Sequence, residues 1–308
     1  METSGVLLDR SSYFEEQSSE NGGNMRIRII AVVSSLTVLV PLSTAHADVH
    51  TIKRHPEGMV KTSHTPLEIL TFNVLATRAT WDDRRAGIVD KIKETDPDIA
   101  GLQEAFESIR SDIEYDLQDD YTMVSFDAGM HDNPIIFRTD RFDVTDSGYV
   151  DGAFCGFMRT VNWVRLYDNR NREDIYFYNN HMCTDVGERE LHSVALVELM
   201  DSHQRRTSAP AKAIAVGDLN SHRRSPNARY LLDGSPLFGE VSPLDLDDTW
   251  EAVYPRVAKP PTSDRDVSID YILTPDSMNV LDASVGDHAG FSDHHPVTAT
   301  IGSGDDIE

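Results

Sequence analysis

The chain has 308 residues, of which 39% are hydrophobic and 26% are charged, as is usual for a globular protein of one large or two small domains. Its formal net charge of −24 disfavours general electrostatic binding to nucleic acid or anionic lipid, so a phosphate ligand requires a local cationic or metal-bearing site. Two cysteines exclude a disulfide scaffold or a cysteine-rich zinc module and allow one disulfide at most.

The first element in chain order is a predicted export signal. Arg26 and Arg28 precede an apolar run over residues 29–42, and Ala-His-Ala at residues 45–47 forms the small-x-small pattern of a signal peptidase site. We therefore expect a secreted protein whose mature chain starts near Asp48.

A membrane anchor is the alternative interpretation of the same segment. The apolar run is shorter than the ~20 residues that span a bilayer, and Pro41 interrupts its end. We therefore predict a signal peptide over residues 25–47 and no stable membrane anchor. Residues 1–24 are either a leader of unusual type or lie upstream of a true start at Met25.

The remaining chain has no internal repeat, linker or second composition regime, which predicts a single domain over residues 67–303. Residues 48–66 form an exposed lead-in and residues 304–308 an acidic tail. Short apolar segments predict strands over 67–74, 99–103, 121–126, 134–138, 160–167, 174–181, 212–216, 268–273 and 296–301.

Helical spacing of apolar residues predicts two helices, at 83–94 ahead of Pro97 and at 188–203. The polar segment 168–172 separates two predicted strands and indicates a hairpin. Hairpins together with helices favour two packed sheets covered by helices over one parallel sheet.

Polar side chains stand at the ends of these predicted strands. They are Asn73, Glu104 after Gln103, His181 after Asn180, Asp218 and Asn220 in a Gly-Asp-Leu-Asn segment, Asp270 in Ile-Asp-Tyr, and Asp293 and His294 in Ser-Asp-His. Any one of these short motifs is weak evidence of function, but the set in this order is specific.

The order of these motifs resembles that of the endonuclease/exonuclease/phosphatase superfamily, which includes deoxyribonuclease I, neutral sphingomyelinases, inositol polyphosphate 5-phosphatases and deadenylases. The resemblance extends from Leu67 to Ile301. It implies an α+β fold, a four-layer α-β-β-α sandwich of two mixed β-sheets flanked by helices, with the site at one end of the sheets.

The resemblance and the chemistry of the residues together imply a divalent metal site. Asn73, Glu104 and Asp293 supply hard oxygen ligands, which suit Mg²⁺, or alternatively Mn²⁺, better than Zn²⁺. Asp218 is expected to accept the proton of the attacking water, and the Asn220 amide to donate to a phosphoryl oxygen.

His181 and His294 are expected to handle protons and contact the phosphate, with Asp270 orienting His294. Which histidine is the acid and which the base stays open at this level. A histidine at position 181 places the chain with the deoxyribonuclease, sphingomyelinase and 5-phosphatase branches, because the exonuclease III branch has a tyrosine there.

Arg159 and Arg223 are candidate contacts for the substrate phosphate, with a purely surface role as the alternative. Hairpin pairing about the turn places Cys183 opposite Met158 and close to Cys155, which predicts a disulfide, with two separate buried thiols as the alternative. The other histidines weighed are expected to have surface or packing roles: His131, His192, His203, His222, His288 and His295.

The sequence predicts an exported, monomeric phosphoester hydrolase, first of all a phosphodiesterase or nuclease. A sphingomyelinase-like phospholipid hydrolase or an inositol-phosphate phosphoesterase is the alternative, although no clear exposed aromatic hairpin for membrane entry is evident. A non-catalytic binding module with the same fold is a third hypothesis, which the presence of Glu104, Asp218 and His294 disfavours.

Overall fold

The computed structural model describes residues 64–126, 132–207 and 211–302, all of which lie in one compact unit. The predicted export signal, the acidic tail and His131 lie outside the described residues. No helix within the described ranges is both long enough and apolar enough to cross a membrane.

The first sheet has six strands in the order β11-β12-β1-β2-β4-β3. Only β1 and β2 pair in parallel, and the other neighbours are antiparallel, so the sheet is mixed. Its strands are β1 Leu67–Asn73, β2 Ile99–Gln103, β3 Tyr121–Val124, β4 Ile135–Arg138, β11 Val280–Val285 and β12 Val297–Ile301.

The second sheet also has six strands, in the order β5-β6-β7-β8-β10-β9, with β7 and β8 as its parallel pair. The predicted hairpin register is confirmed, since Val161 pairs with Asn180. Its strands are β5 Phe142–Phe154, β6 Met158–Asp168, β7 Glu173–His181, β8 Lys212–Asp218, β9 Leu246–Asp248 and β10 Asp270–Pro275.

Helices cover the outer face of each sheet. The predicted helices correspond to α1 and α3, and three more were not predicted. Their bounds are α1 Trp81–Thr95, α2 Glu107–Leu117, α3 Val186–Arg206, α4 Pro226–Leu232 and α5 Thr249–Val253, with a short 3₁₀ turn at Arg78–Thr80.

Apolar side chains form three buried clusters, one in each space between layers. Ile69, Phe177 and Ile214 belong to the cluster between the two sheets. Ile88 and Ile109 of α1 and α2 pack on the first sheet, and Leu196 of α3 belongs to the cluster on the second. The four-layer α-β-β-α sandwich expected from the sequence is therefore confirmed.

Polar contacts join the two sheets close to the ends of β2 and β7. Gln103 Nε2 of the first sheet donates to Asn179 Oδ1 of the second over 2.7 Å. Gly101 permits this approach, because a Cβ there would lie 2.5 Å from a Val216 methyl group and 2.8 Å from the Asn179 amide. The relative position of the sheets is thus set beside the predicted catalytic residues.

A buried cluster of charges ties strands together at the opposite end. The Arg141 side chain is fully buried, and its guanidinium contacts Asp98 over 2.7 Å and Asp168 over 2.8 Å. It also donates to the carbonyl oxygens of Pro66 and Thr65. This arginine therefore links segments next to β1, β2, β5 and β6.

Candidate active site

The structure brings the predicted catalytic and metal-binding residues together at one end of the two sheets. A cavity of about 290 Å³ opens there. Six of the predicted residues line it directly, while Asn73 and Asp270 hold them from behind; the six are Glu104, His181, Asp218, Asn220, Asp293 and His294.

The strand topology explains this convergence. Asn73 lies opposite Gln103 in the parallel pair β1–β2, so Glu104 emerges beside it. His181 lies opposite Asp218 in the parallel pair β7–β8, and Asp218 pairs with Asp270 of β10. Since parallel strands end at the same edge, their terminal polar groups meet.

Gly217 is needed to place Asp218. Its φ is +140°, and a Cβ at this position would lie 1.9 Å from the Asn180 carbonyl oxygen. No side chain fits such a space, so glycine before the aspartate is a steric requirement of the Gly-Asp-Leu-Asn segment.

Asp270 holds His294 in a buried carboxylate–imidazole pair. Asp270 Oδ2 lies 2.9 Å from His294 Nδ1, and His294 Nε2 lies 3.8 Å from Asp218 Oδ2. Burial lowers the pKa of His294, but the charge and hydrogen bond of Asp270, with Asp218 and Asp293, outweigh burial and raise that pKa to about 10. An imidazolium at this position is therefore favoured near neutral pH.

A second carboxylate, Asp132, contacts His181, and here Arg159 Nη1 also lies 2.6 Å from the same ring nitrogen, Nδ1. Asp132 Oδ2 lies 3.0 Å from His181 Nδ1, and His181 Nε2 lies 3.7 Å from Asp218 Oδ2. Burial raises the pKa of Asp132, but contacts with His181 and Arg159 outweigh it and keep that pKa below its ordinary value. Two carboxylate–histidine pairs thus face one aspartate.

Sequence reasoning missed Asp132. It stands directly before the predicted strand at 134–138, so a polar residue beside a strand was the available signal. No short motif marks it, because its partners His181 and Arg159 are distant in the chain.

Asp218 is the buried centre of the site. Its carboxylate accepts hydrogen bonds from the Asn220 backbone N–H over 2.8 Å and from Asn73 Nδ2 over 3.2 Å. Burial raises the pKa of Asp218, and the negative charge of Asp270 raises it further. A carboxylate with a raised pKa is a better proton acceptor than one exposed to water.

Glu104 and Asp293 provide the oxygen donors that a divalent cation requires. Contacts of Glu104 with His181, Ala76 N–H and Asn73 outweigh burial and lower the pKa of Glu104, which keeps it anionic. Asp293 Oδ1 is buried and has no hydrogen-bond partner among the described residues. Such an unpaired anionic oxygen in the cavity wall fits Mg²⁺ or Mn²⁺.

Asn73 acts in the structure as a positioning residue. Its Nδ2 donates to Glu104 Oε1 over 3.1 Å as well as to Asp218, and its Oδ1 accepts from the Leu75 N–H. A direct bond from Asn73 to the metal stays a prediction.

Another possible metal-binding cluster, of Asp264, His288 and His295, lies outside the cavity. His288 Nδ1 accepts from the Gly290 N–H, and its Nε2 lies 3.0 Å from Asp264 Oδ1. A further cluster with metal-binding spacing, of Asp218, Asp270 and His294, lies in the catalytic site itself.

The two arginines named from the sequence differ in position. Arg159 lines the cavity but contacts Asp132 over 2.5 Å. Arg223 does not reach the cavity, because Glu251 and Asp233 bind it at 2.6 and 2.5 Å beside a separate cavity of about 1040 Å³. The sequence-based role of Arg223 as a phosphate contact is therefore not supported.

Arg265, which sequence reasoning did not select, lines the catalytic cavity instead. Among the other histidines of the described ranges, His192 and His203 are buried, and His222 is exposed beside the larger cavity.

A disulfide joins Cys155 and Cys183, whose Cα atoms are 6.0 Å apart. Both cysteines line the cavity, and Cys183 follows His181 by two residues. The bond therefore fastens the tip of the β5–β6 hairpin to the segment that carries this histidine.

Two carboxylate–histidine pairs and a buried aspartate thus meet at one cavity, with the carboxylates of Glu104 and Asp293 in its wall. Residues 70–294 match the model of the Endonuclease/Exonuclease/phosphatase family, and the chain belongs to that family. The name of the family describes hydrolysis of phosphoesters, and the membership of this chain in the family supports the same general chemistry. Comparison with curated protein sequences gave no match.

Solved structures share the fold at low sequence identity. A family member from Bacteroides thetaiotaomicron is 21% identical, with a TM-score of 0.64 over 77% of this chain and 95% of that one. A mannosyl-6-phosphatase from the same species is 22% identical, with a TM-score of 0.63 over 76% and 99%. TDP2 of Caenorhabditis elegans is 18% identical, with a TM-score of 0.63 over 77% and 98%.

Proposed function

We propose that this protein is an exported, divalent-metal-dependent hydrolase that cleaves a P–O bond of a phosphoester by in-line attack of activated water. The observation that carries the proposal is the position of Asp218 Oδ2, 3.7 Å from His181 Nε2 and 3.8 Å from His294 Nε2. Two histidines that are each held by a carboxylate and both face one aspartate are expected of a catalytic site rather than of a binding module.

Each residue of the site has a defined task in this reaction. Asp218 accepts the proton of the attacking water, since burial and Asp270 raise its pKa. His294, kept cationic by Asp270, stabilises charge on the phosphoryl group and supplies a proton to the leaving oxygen. His181, held by Asp132, contacts the phosphoryl oxygens.

The remaining groups bind and orient the phosphoryl group. Glu104 and Asp293 would hold the divalent cation, which polarises a phosphoryl oxygen when it is bound. The Asn220 amide donates one N–H to the Met182 carbonyl oxygen over 2.9 Å and keeps a second N–H for the substrate.

The two main candidate substrates are a phosphodiester in nucleic acid and a small phosphorylated molecule. The cavity of about 290 Å³ and the net charge of −24 favour the small molecule over a long polyanion. A structural neighbour that is a mannosyl-6-phosphatase supports the same candidate.

Phospholipid is a further candidate substrate, because the sequence-based argument against it, the lack of an exposed aromatic hairpin, was wrong. The β5–β6 hairpin does carry an exposed aromatic residue, since Phe154 is 59% exposed at the end of β5. Phe157 at the tip of the hairpin lines the cavity.

The function is tested by measuring hydrolysis of DNA, RNA, sphingomyelin, inositol phosphates and hexose phosphates by the secreted protein with Mg²⁺ or Mn²⁺. Absence of hydrolysis of every substrate at all metal concentrations would contradict the proposal. Loss of activity with EDTA, and its return with added metal, is the expected result.

The variant Glu104→Gln is expected to raise the Mg²⁺ concentration needed for half-maximal rate by about 10-fold or more, with much of the rate recovered at high Mg²⁺. It removes one of two anionic donors while keeping the shape of the side chain. Glu107→Gln, three residues away and exposed, is the matched control and should match wild type. An unchanged Mg²⁺ profile for Glu104→Gln would remove Glu104 from the metal site.

We also propose that the protein is exported. Support comes from the basic, apolar and small-x-small pattern up to Ala47, and from a disulfide, which persists mainly in oxidising compartments. Intact-mass analysis of protein from culture medium should give a chain that starts within a few residues of Asp48. An unprocessed chain retained in the membrane would contradict export.

A further inference from the structure

Arg265 stands on a turn that is fastened directly to the catalytic residues. The Asp266 N–H donates to the Ser263 carbonyl oxygen over 3.1 Å, which closes the turn around Arg265. The Asp264 N–H donates to the Asp293 carbonyl oxygen over 2.9 Å, and Thr262 Oγ1 donates to Asp270 Oδ2 over 2.6 Å. The backbone of Arg265 is therefore held in a fixed position relative to Asp293 and Asp270 before any substrate binds.

The side chain of Arg265 lines the same cavity as Asp293 and His294. It is exposed to solvent, and no carboxylate of the described residues lies within salt-bridge distance, 4.0 Å, of its guanidinium. Its cationic group is thus free to meet an anion in the cavity.

The other cations of the cavity already have counter-charges. Arg159 contacts Asp132 at 2.5 Å, and His294 contacts Asp270 at 2.9 Å. The two carboxylates assigned to the metal, Glu104 and Asp293, balance a divalent cation. Arg265 is then the one lining cation, within the described residues, without an anionic partner.

We propose that Arg265 is the specificity-determining residue of the site and selects a phosphoryl group that carries two negative charges, which is the terminal phosphate of a phosphomonoester. This inference rests on the proposed function and narrows its substrate class. The planar guanidinium presents paired N–H donors that match two phosphoryl oxygens. A diester carries one negative charge, and its second ester group replaces an oxygen that Arg265 would bind.

The test uses p-nitrophenyl phosphate and methyl p-nitrophenyl phosphate. These two substrates release the same leaving group, and their phosphoryl groups differ by one negative charge. Arg265→Gln is expected to lower kcat/KM for the monoester by about 10- to 30-fold, chiefly through KM, and for the diester by less than about 3-fold. Arg265→Lys, which keeps the charge but loses the fork, should fall between Arg265→Gln and wild type. Arg170→Gln is the matched control. Arg170 lies on the turn before β7, at the other end of that strand from His181, and it pairs with Asp140.

Equal loss on both substrates, a greater loss on the diester, or no loss on either would overturn the proposal. A second readout separates this result from failure of the proposed function. Calorimetric titration with Mg²⁺ present should show that wild type binds inorganic phosphate more tightly than dimethyl phosphate, and that Arg265→Gln loses this preference. If the protein hydrolyses no substrate but Arg265→Gln loses the preference for inorganic phosphate, the proposed function is refuted and Arg265 remains an anion-binding residue. If Arg265→Gln keeps that preference, the proposed role of Arg265 is wrong.

Discussion

Replacing His294 by alanine is expected to reduce kcat by on the order of 10²-fold or more, and no concentration of Mg²⁺ should restore the rate. The imidazole lies 3.8 Å from Asp218 and is held cationic by Asp270, so its loss removes both a proton donor and a positive charge. The measurement is rate against Mg²⁺ concentration, on whichever substrate the protein hydrolyses.

Two comparisons make this result specific. His295→Ala alters the next residue, whose ring hydrogen-bonds to the Gly286 carbonyl oxygen outside the cavity, and should leave kcat close to wild type. Glu104→Gln should be rescued by metal, as described above. Rescue of His294→Ala by Mg²⁺, with Glu104→Gln inactive throughout, would reverse the two roles, and full activity of both would remove the site assignment.

Arg141→Met is expected to lower the free energy of unfolding by about 3–5 kcal/mol. The guanidinium is fully buried, and its removal leaves the buried Asp168 carboxylate without a counter-charge. Denaturant unfolding followed by far-ultraviolet circular dichroism measures the change.

The double variant Arg141→Met/Asp168→Asn separates loss of charge balance from loss of packing. Asparagine removes the uncompensated charge but can still accept the hydrogen bond from the Arg170 N–H, so the double variant should regain at least ~1 kcal/mol over Arg141→Met. Arg170→Met breaks an exposed ion pair and should cost ~1 kcal/mol or less. A double variant no more stable than Arg141→Met would contradict the charge explanation.

Sequence reasoning located the strands inside both sheets and the edge strand β3, but it missed the other edge strands, β5, β9 and β11. The segments that became β1, β2 and β8 are apolar runs, and their burial on both sides explains the pattern. β5 is mostly exposed and only one residue of β11 is fully buried, so neither of these edge strands has an apolar run to mark it.

The same distinction applies to the site. Site residues that stand in short motifs at strand ends were found from the sequence, because strand ends can be predicted and strand topology brings them together. Asp132 and Arg265 were missed because each stands in an irregular segment and meets the site only through tertiary contacts. Arg223 was selected for its closeness to Asn220 in sequence, but sequence distance does not report the carboxylates that bind it.

The contact between Asn73 and Asp218 crosses from one sheet to the other, with Glu104 from the first sheet and His181 from the second beside it. Neither sheet alone contains a site. A compact folding intermediate with both sheets formed but not yet docked would have nearly native secondary structure and no catalytic centre. Turnover therefore reports that the two sheets are docked, whereas the circular dichroism of the strands reports only that the sheets have formed.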